Sequence, residues 1–216
     1  GEAWHSDQSC AEIPPMYSVL YQEIIPPNGG GNTMFLSAAK AYEELSPGMK
    51  AYLEGKTATH NAEAAFIAKQ TKDNKETHLV AEHPMVVEHP ETGRKVLFVN
   101  PQFTIRIKNM REDESRTLLD FLFRQAAIPE IQYPHQWKAD SFVFWDNRST
   151  QHYAPHDYFP QRRYLERITI KGDRPFGPAG PTYFLQDNPE TSAAGSADEF
   201  GGHRASIRPI DREKDI

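Results

Sequence analysis

The sequence predicts a mainly β protein, an antiparallel jelly-roll or barrel-like sandwich with flanking helices. Short runs rich in β-branched and aromatic residues, roughly six in number, recur between turn signals. They do not alternate with long helical segments, as the units of a doubly wound parallel sheet would. The chain of 216 residues is only 38% hydrophobic, but 3 Trp, 9 Tyr and 12 Phe supply enough large side chains for a packed core.

In chain order, residues 16–25 read as a strand closed by Pro26 and Pro27. Gly29, Gly30 and Gly31 between Asn28 and Asn32 give the strongest loop signal, since consecutive glycines admit positive φ. Residues 33–36 resume an extended segment. Ser37 then caps a helix to Leu45, with Ala38, Ala41, Tyr42 and Leu45 at helical spacing. Ser46 followed by Pro47 opens a second short helix to about Leu53. Residues 56–76 are polar and weakly patterned, and read as a loop suited to act as a lid.

Residues 78–88 and 95–100 are strand candidates around a turn at 90–93. Residues 111–127 form the best helix: Glu112, Asp113 and Glu114 favour its start, and Leu118, Leu119, Leu122 and Phe123 give it a buried face. Residues 141–145 and 164–170 are further strands. From Phe176 onward Gly, Pro, Ser and Asp dominate, and no contribution to the core is expected. The chain divides into a domain over 1–180 and a polar C-terminal extension over 181–216.

Charge is spread evenly, 24 basic against 30 acidic residues for a net charge of −6, without the basic footprint of a nucleic-acid binder. No apolar run approaches the ~18 residues of a membrane span. The single cysteine, Cys10, cannot form an internal disulfide and reads as a small core residue. It fits a reducing compartment, so a cytoplasmic protein is expected.

Chemistry concentrates at two places. His5 and Asp7 are two apart, so in an extended segment both side chains reach the same ion. One more imidazole would complete the two-histidine, one-carboxylate set that holds Fe(II) and leaves positions open. Alone, such a tripeptide more often marks a surface turn. Trp145, Asp146 and Asn147 follow a strand, and His152 falls at or just beyond its end. Arg163 comes eleven residues later, and its planar fork can hold a carboxylate bidentately. Trp4 and Trp145 flank the ligand candidates and are expected to pack beneath them. The other histidines (60, 78, 83, 89, 135, 156 and 203) lack the spacing of a second metal site. His83 and His89 each precede Pro and read as turn or strand-edge residues.

Taken together, Trp4 to Asp7, Gly30 to Thr33, Val99 and Asn100, Phe103 and Thr104, Trp145 to Asn147, His152, Arg163 and Gly172 to Phe176 resemble the TauD/TfdA family of Fe(II)/2-oxoglutarate-dependent dioxygenases. The resemblance runs from about Trp4 to Gly180. It implies a double-stranded β-helix core of the cupin-like jelly-roll type. It also implies that His5, Asp7 and His152 bind iron, and that Arg163, assisted by Thr33, binds the distal carboxylate of 2-oxoglutarate. Arg167 matches the arginine that pairs with an anionic substrate, and Phe103 an aromatic wall beside it.

The implied reaction uses Fe(II), 2-oxoglutarate and O₂ to hydroxylate a small anionic organic substrate, with succinate and CO₂ as co-products. That substrate is a sulfonate, a sulfate ester, or a carboxylate or aryloxy acid. Gly1 stands where taurine dioxygenases carry Asn, so taurine itself is not singled out. The alternative is a non-catalytic relative that binds 2-oxoglutarate or another anion, or an inactive fragment. Relatives carry a segment ahead of the His-x-Asp motif, so the domain is expected to lack its N-terminal segment here. Neither nucleic acid nor membrane is expected as a partner, and the family commonly assembles into homodimers or tetramers.

Overall fold

The computed structural model describes residues 3–63 and 79–178. His78, His203, most of the expected 56–76 loop and the 181–216 extension lie outside the described residues. Among the described residues two antiparallel three-stranded sheets frame the site. The first is centred on β1 (Pro15–Ile24) and the second on β2 (Thr33–Ser37). Later strands are dealt alternately to the two sheets. β8 (Gln132–His135) joins β2, β9 (Phe142–Asp146) joins β1, β10 (Thr150–Tyr153) joins β2, and β11 (Tyr164–Lys171) joins β1. This alternation between two facing sheets is the double-stranded β-helix form of the jelly-roll that the sequence predicts.

A third sheet sets β3 (Thr57–Asn61) between β4 (Val80–Pro84) and β7 (Thr104–Ile107), and β5 (Val86–Glu88) pairs with β6 (Lys95–Leu97). The described helices include α1 (Ala38–Glu43), α2 (Pro47–Leu53) and α3 (Glu112–Phe123). Ser37 and Ser46 cap α1 and α2, accepting from the N–H groups of Lys40 and Met49 at 3.3 Å each. At α3, the Glu114 carboxylate reaches back to the Arg111 N–H at 3.2 Å.

The main apolar core lies where α1 and α3 meet β3, β5, β6 and β7. Leu53, Met85, Val86, Val96, Ile107, Leu119 and Leu122 are among its large buried members. A satellite cluster of Cys10, Ala62 and Phe103 bears out the structural reading of Cys10.

Several local expectations are corrected. Part of the 56–76 segment is strand β3, whose inward residues Ala58 and His60 are fully buried. Its alternation was hidden because its inward residues are an alanine and a histidine rather than large hydrophobics. The 78–88 strand is two strands in different sheets. Pro84 has no N–H for a ladder, and the Met85 N–H turns to the Lys56 carbonyl at 2.9 Å. The 111–127 helix ends at Phe123, and a 3₁₀ turn over Arg124–Ala127 completes it. Beyond β11 the chain runs back along β5, and the Glu88 N–H donates to the Phe176 carbonyl at 2.9 Å. No described helix is long and apolar enough to cross a membrane.

Candidate active site

The space between the two β-helix sheets is lined differently from the apolar core. Its buried residues include His5, Asp7, Ser18, Thr33, Phe35, Trp137, Trp145, His152 and Arg163. His5 lies in a short bridge ahead of β1, and Asp7 opens the turn that follows it, over residues 7–10, rather than continuing an extended segment as the spacing suggested. His152 is the third residue of a strand of its own, β10, rather than at or just beyond the end of the strand before it as the sequence suggested. The two histidines form an isolated antiparallel bridge. The His5 N–H donates to the His152 carbonyl at 3.0 Å, and the His152 N–H returns to the His5 carbonyl at 2.8 Å. Directly opposed residues present their side chains on one side, and the ring centroids are 4.3 Å apart.

Asp7 completes the group. Its Oδ1 lies 3.7 Å from Nε2 of His5 and 3.7 Å from Nε2 of His152. The three ligand atoms lie within 4.8 Å of one another, and all three residues are buried. Nδ1 of His5 donates to the Ala3 carbonyl at 2.8 Å, which directs Nε2 at the group. The carboxylate is held at both oxygens, by the Ser18 hydroxyl on Oδ2 at 2.6 Å and by Nη1 of Arg167 on Oδ1 at 3.0 Å.

Electrostatics assign the protonation states. Burial pushes both imidazoles down, His152 to about 4 and His5 well below its ordinary value, despite the opposing attraction of Asp7. Burial alone would raise Asp7. The Arg167 guanidinium, the two histidines and the Ser18 hydroxyl outweigh it and hold the carboxyl well below the usual carboxylate range. Two neutral imidazoles and an ionised carboxylate, converging in a buried space, fit the donor set that suits Fe(II).

The second element of the site is a hydrogen-bonded group around Arg163. Arg163, immediately before β11, is buried. Its Nε donates to the Gly31 carbonyl at 2.8 Å, and Nη2 lies 3.4 Å from Oγ1 of Thr33. Trp137 Nε1 donates to the same hydroxyl oxygen at 3.0 Å. Asp157 accepts the Gly31 N–H at 2.7 Å, which ties the glycine turn to the loop ahead of Arg163.

Of the seven residues singled out from the sequence, His5, Asp7, His152, Arg167 and Phe103 form one connected group, and Thr33 and Arg163 pair with each other. Phe103 is buried with its ring centroid 6.0 Å from that of His5. Trp145 packs against His152 at 4.8 Å between centroids, as expected. Trp4 instead meets Tyr153 edge-on at 4.7 Å, because Tyr153 follows His152 and faces the opposite side of β10. His83 lies on edge strand β4 but turns its ring inward, donating from Nε2 to the Ala11 carbonyl at 2.9 Å. His89, Glu91 and Asp146 form a second ligand-like group. There Arg148 already compensates both carboxylates, at 2.6 Å from Asp146 and 3.2 Å from Glu91. Sequence reasoning assigned no role to Ser18, Trp137 or Asn147. Ser18 stands on the inward face of β1, and Asn147 in the Trp-Asp-Asn triplet, which were the available signals.

A jelly-roll with two histidines and a carboxylate converging in its interior has the architecture of the non-haem iron class. Residues 1–169 match the model of the taurine catabolism dioxygenase TauD, TfdA family. The chain is 34% identical over 189 residues to an alkylsulfatase of Acinetobacter baylyi, covering 82% of this chain and 59% of the relative. It is 32% identical over 176 residues to an alpha-ketoglutarate-dependent sulfonate dioxygenase of Saccharomyces cerevisiae, covering 80% and 42%. The crystal structure of a taurine dioxygenase from Burkholderia xenovorans superposes with a TM-score of 0.73 at 40% identity, covering 82% of this chain and 61% of that one. The chain belongs to the TauD/TfdA family. It spans about half the length of the curated relatives it matches.

Proposed function

We propose that this protein is an Fe(II)- and 2-oxoglutarate-dependent dioxygenase that hydroxylates a small anionic organic substrate and releases succinate and CO₂. The observation that carries this reading is the convergence of His5, Asp7 and His152, and it is supported by the buried Arg163–Thr33 pair, since Thr33 opens the same strand β2 whose Phe35 pairs with His152. The names of the relatives, a sulfonate dioxygenase and an alkylsulfatase, support a sulfonate or sulfate ester as the substrate class. The lone buried Cys10 supports a cytoplasmic setting.

His5, Asp7 and His152 would hold the metal. When bound, Fe(II) together with O₂ and 2-oxoglutarate supplies the oxidising chemistry. The chain's own residues bind and orient. Arg163 offers a permanent charge to the distal carboxylate of 2-oxoglutarate, and its stem is fixed by the Gly31 carbonyl. Thr33 accepts from Trp137 and lies within reach of Arg163 as an acceptor, so its own O–H is the donor it can give that carboxylate. Arg167, which donates to Asp7 from Nη1, would also bring its positive charge to a substrate anion. Phe103 walls the site beside His5 and limits water.

The test supplies Fe(II), ascorbate and 2-oxoglutarate with a panel of sulfonates, sulfate esters and aryloxy acids, and measures succinate. Substrate-stimulated succinate is expected, and it is abolished in His152→Ala. Arg167→Ala is expected chiefly to raise KM for the anionic substrate. No stimulation by any member of the panel, with no Fe(II) binding, would leave the non-catalytic reading in its place.

A further inference from the structure

We propose that Asn147 is a positioning residue that fixes where Asp7 presents its carboxylate to a metal ion, an inference that rests on the metal-site reading above. Asn147 is 1% exposed and follows directly on the end of β9. Its Oδ1 accepts the Asp7 N–H at 2.7 Å, and its Nδ2 donates to the Asp7 carbonyl at 3.0 Å and to the Pro15 carbonyl at 2.9 Å. Its own N–H donates to the Met16 carbonyl at 2.9 Å. A carboxamide has two donors and one acceptor oxygen, and here all of them are engaged.

The consequence is geometric. A hydrogen bond on the N–H and another on the C=O of one residue fix the peptide planes on both sides of its Cα. Asp7 then retains only side-chain rotation, and Ser18 and Arg167 restrain that from either carboxylate oxygen. The Asp7 segment has no ladder partner of its own at this point, so Asn147 takes the place of a neighbouring strand. No other residue type does this as well. Ionised Asp cannot donate to the two carbonyls, and Ala leaves three buried backbone groups without that partner.

The position also fits. Trp145 and Asn147 are two apart and point the same way; Trp145 backs His152, and Asn147 grips Asp7. Asp146 points the other way, into His89 at 2.9 Å and Arg148 at 2.6 Å, and anchors the turn from outside. Two ligands separated by more than a hundred residues are thus referenced to one short piece of β9 and its turn.

Co(II) alone is the probe, titrated by its visible absorption into wild type, His152→Ala, Asn147→Ala and the near-isosteric Asn147→Asp, with thermal unfolding of each followed in parallel. The expected result is a Kd for Co(II) weakened about 10–100-fold in Asn147→Ala, with a displaced absorption band, at temperatures where the variant is fully folded. A purely structural role would lower the melting temperature and leave the Kd and the band in place, and that result overturns the proposal. Where Asn147→Ala does not fold, Asn147→Asp gives the same readout, and wild-type affinity in it is equally fatal. Absence of Co(II) binding in wild type, or unchanged binding in His152→Ala, overturns the metal-site reading and this inference with it. Binding lost in His152→Ala but unaltered in the Asn147 variants overturns this inference alone.

Discussion

Gly31 sits at φ +74°, and a Cβ built on it would lie 2.6 Å from Cδ and 2.9 Å from Nε of Arg163. The guanidinium stem therefore occupies the volume a side chain would take, and the left-handed backbone adds a second penalty to any substitution. Gly31→Ala is expected to push Arg163 off its station. KM for 2-oxoglutarate should rise by about tenfold or more, the worth of one charge-assisted contact, while Co(II) affinity stays at the wild-type value. Steady-state kinetics with 2-oxoglutarate varied, beside a Co(II) titration, check both halves. At this scale the proposed metal ligands were legible because a histidine and an aspartate two apart are a recognisable pair, and Arg163 carries a chemistry few residues can replace. The turn at Asp7, which the spacing alone does not show, was not legible. Ser18 and Trp137 were not, because each acts through a partner far away in sequence, Asp7 and Thr33 respectively, that only the fold brings near.

Strand β3 sets a histidine where a hydrophobic residue is usual. His60 is fully buried, with Nδ1 3.1 Å from the Ser9 hydroxyl, which also accepts from Asn100 at 2.9 Å. The chain from Asp7 to Ser9 is thereby tied to the third sheet. Burial, then the neighbouring His83, push His60 down to about 3 from the ordinary 6.5. The unfolded chain takes up a proton near 6.5 while the folded one refuses it. The contribution of His60 to stability is therefore full above 6.5 and is lost as the pH falls from there toward 3. The melting temperature should fall between about pH 7.5 and about pH 5, and less steeply in His60→Gln; equal slopes would remove His60 as the cause. β3 escaped the sequence for this same reason, since its inward pair is Ala58 and His60 and the polar residues around them read as loop. β7 and β8 escaped because they are short edge strands, one with Arg106 in its middle and the other with Pro134, which an edge tolerates and a central strand does not.

Across the whole molecule, cohesion and chemistry occupy different interiors. The apolar cluster around α1, α3 and β5 to β7 holds Leu53, Met85, Ile107 and Leu122, while Phe35, Trp137 and Trp145 between the β-helix sheets belong to neither apolar cluster and face the polar site. The sequence conveyed the jelly-roll class through its recurrent short strands and its aromatic content. The pairing order was less accessible, because alternate strands go to opposite sheets and each pairing spans a long stretch of chain. This division allows stability and site geometry to be perturbed separately. Leu122 is buried in α3 against the apolar core, and Leu122→Ala removes apolar contact and leaves a cavity, a loss of about 2–5 kcal/mol in denaturant unfolding. Because α3 carries none of the residues proposed to hold the metal, the folded fraction should bind Co(II) with wild-type affinity. Trp145→Leu makes the opposite case. Its ring lies 5.3 Å from Phe35 and 4.8 Å from His152, so its loss should weaken Co(II) binding measurably even in fully folded protein. If Leu122→Ala lowered the metal affinity as much as Trp145→Leu does, the two interiors would be one cooperative unit, and the separation drawn from their contacts would not hold.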